Sequence, residues 1–284
     1  ASARVFFSSL AVINGLFYPV RHERSEEMTG REAPPVVATA QITGARDRQE
    51  DALAVHMLAA DAGAHAGELL LVLADGMGGH AGGEVASRLV VERFCTAYTS
   101  SPENIPGALR SSLNIANEKL AESVAETPRL RGMGSTLVGA VLQGDRLYWI
   151  SVGDSPLWVY REAALQRLNA DHSMVPLLDD MVRTGLMDRE DALADVRRNL
   201  LRSALAGKAL ELVDLCEEPC RLQAGDIVVL ASDGVVTLAA DQMVGVLQNP
   251  GNKSLQELAG DLMTSIEATG RSGQDNASVI LYRH

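Results

Sequence analysis

Val72-Leu-Ala-Asp-Gly-Met-Gly-Gly-His-Ala-Gly-Gly-Glu-Val-Ala-Ser87 is the stretch from which the rest of the chain can be read. The apolar run Leu69 to Ala74 stops at Asp75, and five glycines follow within eight residues: Gly76, Gly78, Gly79, Gly82 and Gly83. An amphipathic helix is then expected over about 84–98, because Val85, Leu89, Val90 and Phe94 recur at helical spacing. The pattern predicts a buried strand that delivers a carboxylate to a sheet edge. It is followed by a loop that no side chain crowds, and then by a helix N-terminus. Such a loop brings peptide groups close to a metal or a phosphate. The plainer alternative is a glycine-rich turn with an exposed Asp75. Whether other carboxylates converge on Asp75 decides between the two.

Strand-like runs cover 36–42, 52–58, 69–74, 137–142, 146–152, 157–160, 165–168, 226–231 and 277–282. The hairpin signal Gln143-Gly-Asp145 joins two of them. Helices are expected over about 102–125, where Ile105, Leu109, Leu113, Ala116, Leu120 and Val124 fall three or four apart, and over 241–247 and 254–268. Residues 171–205 read as a charged, helical flap outside the sheets, interrupted by Gly185. Residues 1–33 read as an N-terminal extension, non-native or disordered, with Met28 as the natural start. Residues 34–284 read as one domain.

The bulk numbers narrow the function. With 284 residues, 46% of them hydrophobic, there is enough chain for a sizeable core. A net charge of −12 argues against a phosphate backbone or an anionic membrane as partner, since both need a basic face. Cys95, Cys216 and Cys220 form neither a disulfide framework nor a zinc pattern, which favours a reducing, cytoplasmic setting. No run approaches the roughly 20 apolar residues of a membrane span.

Six acids sit at strand ends. Asp75, Asp154 and Asp233 each follow an apolar run, and Glu50, Asp51 and Asp275 each precede one. In an antiparallel sheet the ends of some strands lie beside the beginnings of their neighbours, so all six can gather along one edge. Such a cluster repels itself unless divalent cations neutralise it. Oxygen-only ligands favour Mg²⁺ or Mn²⁺ over zinc. A carboxylate shared between two such ions lets them activate a bridging water for in-line attack on a phosphoryl group. The residues by themselves point to a binuclear metal hydrolase.

The same residues carry a family resemblance. Arg46-x-x-Gln-Glu-Asp51, Asp75-Gly-Met-Gly-Gly-His80, Gly134-Ser-Thr136, Val152-Gly-Asp-Ser155, Ser232-Asp-Gly234 and Gly273-Gln-Asp-Asn276 occur in the order found in bacterial metal-dependent Ser/Thr protein phosphatases of type 2C. Asp171-His-Ser173 and Arg198-Asn-Leu-Leu-Arg202 look like the flap of that family. The resemblance implies an α+β fold, a four-layer sandwich of two packed antiparallel β-sheets flanked by helices. It implies that Asp75 bridges two Mn²⁺ or Mg²⁺ ions with help from the Gly76 carbonyl. Asp233 and Asp275 hold one ion, and Glu50 and Asp51 serve the other. Asp154 with Asp233 matches a weaker third site. Arg46 is implied to grip the substrate phosphate, and His80 to protonate the leaving Ser or Thr oxygen. The implied partners are phosphoproteins and a bacterial Ser/Thr kinase whose action the enzyme opposes, with the enzyme a monomer.

Each residue also has a plainer reading. Asp154 could cap a hairpin, Asp275-Asn276 could be an ordinary turn, Arg46 could pair with Asp47 or Glu50, and His80 could be structural in the glycine loop. Two departures from the pattern stand out. Gln49 replaces the usual Asn, and Pro156 stands where an Arg is usual, removing a cation near the third-metal position. The competing functions are a non-catalytic phosphoprotein-binding module, opposed by the intact carboxylates, and a metal-dependent nuclease, opposed by the acidity.

Overall fold

In β5 (Leu69–Met77), six consecutive buried apolar residues divide between two faces. Leu70, Val72 and Ala74 join one hydrophobic cluster, while Leu69, Leu71 and Leu73 join another. A strand that is apolar on both sides must be covered on both sides. The computed structural model describes residues 10–13, 16–19, 36–59, 63–79, 82–248 and 253–284, the first two stretches as backbone. That backbone is a hairpin of β1 (Leu10–Ile13) and β2 (Leu16–Pro19). Most of the N-terminal extension read from the sequence lies outside the described residues.

The remaining strands form two antiparallel sheets. One runs β10 (Ala164–Arg167), β9 (Leu157–Arg161), β13 (Ile227–Ala231), β14 (Ala277–Arg283), β3 (Val36–Ile42). The other runs β11 (Asp214–Leu215), β8 (Arg146–Val152), β7 (Leu137–Gln143), β5, β4 (Asp51–Met57), with β12 (Cys220–Arg221) on β8 and β6 (Gly134–Ser135) on β5. Helices α1 (Gly82–Thr99) and α2 (Ile105–Glu126) cover the outer face of the second sheet through Val90, Phe94, Leu109, Leu113 and Leu120. Helices α5 (Ala240–Leu247) and α6 (Leu255–Ala268) cover the first through Met243, Leu258, Leu262 and Ile266. Between the sheets lie Leu71, Leu73, Val138, Leu157, Val228, Leu230 and Ile280. This is the expected α-β-β-α sandwich. Burying each large side chain in it contributes about 1.5–3 kcal/mol relative to exposure.

Some boundaries differ from expectation. β5 does not stop at Asp75. It runs on to Met77 because Gly76 and Met77 pair with Ser135 and Gly134 of β6, a two-residue strand too short to show a period. α1 starts at Gly82 rather than near 84, and β4 begins at Asp51 itself. α2 starts three residues later than expected, where the Asn104 side chain accepts from the Gly107 amide. The flap contains α3 (Val175–Arg183) and α4 (Arg189–Ala194), and isolated bridges Ser173–Leu201 and Ser135–Leu205 fasten it. Among the described residues no helix is long and apolar enough to cross a membrane, and all three cysteines are free.

Candidate metal centre

Antiparallel pairing brings the acids together as strand polarity requires. Asp51 opens β4 directly opposite Asp75 of β5. Asp233 follows β13, Asp275 precedes the neighbouring β14, and Asp154 follows β8. Asp75 is flanked electrostatically by Asp51, Asp233 and Asp154, and its carboxyl lies within hydrogen-bonding reach of that of Asp233. Glu50 is tied in through its backbone. Its amide donates to Asn276 Oδ1 at 2.7 Å, and its carbonyl accepts from the Gly76 amide at 3.1 Å.

Burial makes this concentration of charge costly. Asp51 is pushed up to about 7, first by desolvation and further by Asp233 and Asp275, against the hydrogen bonds it receives. Those bonds come from Ser232 Oγ at 2.8 Å and Ser278 Oγ at 2.5 Å, both to Oδ2. Asp75 is held well above the ordinary carboxylate range by desolvation and then by Asp51. Asp154 is pushed to about 7 by desolvation, then by Asp233 and Asp171. Asp233 and Glu50 are also raised, with desolvation the leading cause for each. Burial therefore disfavours the charged form of these five acids, and added positive charge would favour it.

The donor set fits hard divalent cations. Every acidic side chain offers oxygen. Asp51 Oδ1 is buried without a hydrogen-bond partner, an open acceptor. A Cβ on Gly83 would fall 2.8 Å from the Gly76 carbonyl oxygen and 2.9 Å from Glu50 Oε1, so glycine there keeps both oxygens uncovered. A Cβ on Gly76 would fall 2.1 Å from the Gly83 carbonyl. As placed, no three His, Cys, Asp or Glu side chains among the described residues close on one point. Asp75 and Asp233 face one another closely enough for each to perturb the other's ionisation.

Arg46 pairs with neither Asp47 nor Glu50. Its Nη2 donates to Asp275 Oδ2 at 2.6 Å, with the Arg46 side chain 56% exposed on the rim. His80 lies outside the described residues. Several supporting groups were not assigned a role from the sequence. The Thr136 hydroxyl accepts from the Asp75 amide at 2.9 Å, and the Ser135 hydroxyl donates to the Asp75 carbonyl at 3.0 Å. The Gly134-Ser-Thr136 motif was the available signal for both. For Ser232 the signal is the Ser232-Asp-Gly234 motif, and for Ser278 only its polarity within an otherwise apolar strand.

Residues 47–262 match the protein phosphatase 2C family. The chain is 32% identical over 218 residues to the serine/threonine phosphatase stp of Listeria welshimeri, covering 75% of this chain and 83% of that protein. It is 34% identical over 220 residues to the serine/threonine protein phosphatase PstP of Mycobacterium tuberculosis, covering 76% and 40%. The crystal structure of the M. tuberculosis phosphatase PstP/Ppp superposes with a TM-score of 0.71 at 30% identity, covering 88% of this chain and 98% of that one. The catalytic domain of PstP in complex with two manganese ions gives 0.68 at 29%, covering 88% and 97%.

Proposed function

This chain belongs to the protein phosphatase 2C family, and we propose that it hydrolyses phosphoserine and phosphothreonine in proteins with the help of Mn²⁺ or Mg²⁺. The observation that carries the reading is Asp75, half-buried at the meeting point of Asp51, Asp233 and Asp154 beside a backbone carbonyl that two glycines leave open.

In this reading Asp75 and the Gly76 carbonyl serve two cations. Asp233 and Asp275 complete one site. Glu50 and Asp51 serve the other, directly or through water, and Asp154 with Asp233 takes a weaker third ion. When bound, the cations would supply activation of a water for in-line attack on phosphorus. The chain's own residues do the rest. Arg46 offers a planar fork on the rim, suited to bidentate contact with the phosphate. His80 donates a proton to the leaving Ser or Thr oxygen, which departs poorly as an alkoxide. Ser232 and Ser278 hold Oδ2 of Asp51, which leaves Oδ1 as the oxygen that would serve a cation. The proposed setting is the cytoplasm, opposite a bacterial Ser/Thr kinase.

Phosphate release from a phosphothreonine peptide, with Mn²⁺, Mg²⁺ or EDTA, tests the reading. Release with either metal, absent in EDTA, is expected. Metal-independent release, or phosphopeptide binding without release, contradicts it.

A further inference from the structure

Pro156 leaves the loop after Asp154 without a cationic side chain of its own. The next strand delivers one. Arg167, the last residue of β10, stands opposite Trp158 of β9 and reaches back to the loop. Its Nη2 donates to the Asp154 carbonyl at 2.8 Å, its Nη1 to Asp171 Oδ2 at 3.1 Å, and its Nε to Asn169 Oδ1 at 3.3 Å. Asp171 Oδ1 in turn accepts from the Ser173 amide at 2.8 Å. One guanidinium thus spans the loop that carries an acid of the site and the first residues of the flap. A rigid planar fork can make these separate bonds at once, whereas an ammonium group presents a single point charge.

Parallel bonds follow the same course. The His172 amide donates to the Gly153 carbonyl at 3.0 Å, and His172 Nδ1 accepts from the Gly153 amide at 3.2 Å. Asn169 donates to the Ser155 carbonyl at 2.9 Å. Ser155 Oγ is bonded to Thr136 Oγ1 at 2.7 Å, and Thr136 Oγ1 accepts from the Asp75 amide. The hydrogen bonds are continuous from Asp75 to the start of the flap.

We infer that Arg167 is a positioning residue: it fixes the Asp154 loop and the flap relative to one another and supplies the loop with the cation that Pro156 does not. The inference rests on the phosphatase reading for the role of Asp154. An arginine that merely closed the end of β10 would affect stability alone, without touching cation affinity or flap exchange.

The full chain is compared with Arg167→Ala and Arg167→Lys by calorimetric Mn²⁺ titration and by amide hydrogen exchange in EDTA. The weakest Mn²⁺ step is expected to weaken about 10-fold or more, as when a group supporting a metal ligand is lost, while tighter steps hold. The His172 and Ser173 amides exchange faster, and KM for a phosphothreonine peptide rises more than kcat falls, with Lys intermediate. Wild-type Mn²⁺ steps and exchange in Arg167→Ala overturn the inference, and in Arg167→Lys they do so if the alanine variant does not fold. A wild-type chain that binds no Mn²⁺ overturns the phosphatase reading itself. The exchange measurement, made without metal, then still decides whether Arg167 holds the flap.

Discussion

Asp51 and Asp75 stand directly opposite one another across the β4–β5 ladder. Like charges in that position destabilise a sheet, and here Asp51 is buried and Asp75 half-buried, so desolvation adds to the penalty. The fold tolerates the pair because Ser232 and Ser278 donate to Asp51, and Ser135 and Thr136 secure the Asp75 backbone. What remains uncompensated is the charge itself, which a divalent cation would neutralise.

The first prediction concerns pH. Asp51 rises from 3.8 to about 7 in the fold. Between those values the native state holds a proton that the unfolded chain has released, so the Asp51 contribution to stability falls as pH rises through this window. In EDTA, Asp51→Asn should therefore gain stability relative to wild type as pH climbs from about 4 to about 7. Urea unfolding at several pH values measures the difference. A difference that stays flat, or that shrinks with pH, contradicts the assignment.

Added Mn²⁺ should reverse that trend in the wild-type chain. A ligand that binds only the native state raises Tm, by about 2.7 kcal/mol of stability at a hundred times its Kd. The gain should be larger at pH 8 than at pH 5, because protons compete for the same oxygens. Thermal unfolding with and without metal checks this, and an equal gain at both pH values counts against carboxylate ligation.

Gly83→Ala tests the open carbonyl. The added Cβ would meet Glu50 Cδ and the Gly76 carbonyl oxygen, each at 2.8 Å. Overpacking of this kind costs about 1–3 kcal/mol. Mn²⁺ affinity should also fall, because the methyl covers two of the candidate ligand oxygens. Destabilisation with unchanged Mn²⁺ affinity would separate Gly83 from the centre.

Ser278→Ala removes a buried donor to Asp51. Hydrogen bonds to charged groups are worth about 1.5–3 kcal/mol. The variant should be weaker in Mn²⁺ binding and should gain protons at a higher pH than wild type, measurable by metal titration across pH. Ser232→Ala should behave alike, since both hydroxyls address the same Oδ2.

Much of this was legible in the chain. The acids could be placed because strand polarity fixes which end of a strand meets its neighbour's beginning, and the runs ending at Asp75, Asp154 and Asp233 were long enough to recognise. The two-faced strands were legible as unbroken apolar runs. β6, β11 and β12 were not, because two residues carry no periodicity. Arg167 was hidden for another reason. Its partners Asp154 and Asp171 belong to separate segments, and only the β9–β10 register aligns them. The Arg46–Asp275 pair likewise spans 229 positions of sequence.

The most direct test of the central claim is kcat/KM for a phosphothreonine peptide in saturating Mn²⁺, comparing wild type with Asp75→Asn. Loss of a shared ligand should exceed the roughly 10–100-fold effect of losing a group that only supports a ligand. A drop of more than about a hundredfold is therefore expected, with the Asp75→Asn fold intact by circular dichroism. A folded Asp75→Asn variant that turns over at the wild-type rate would contradict the account.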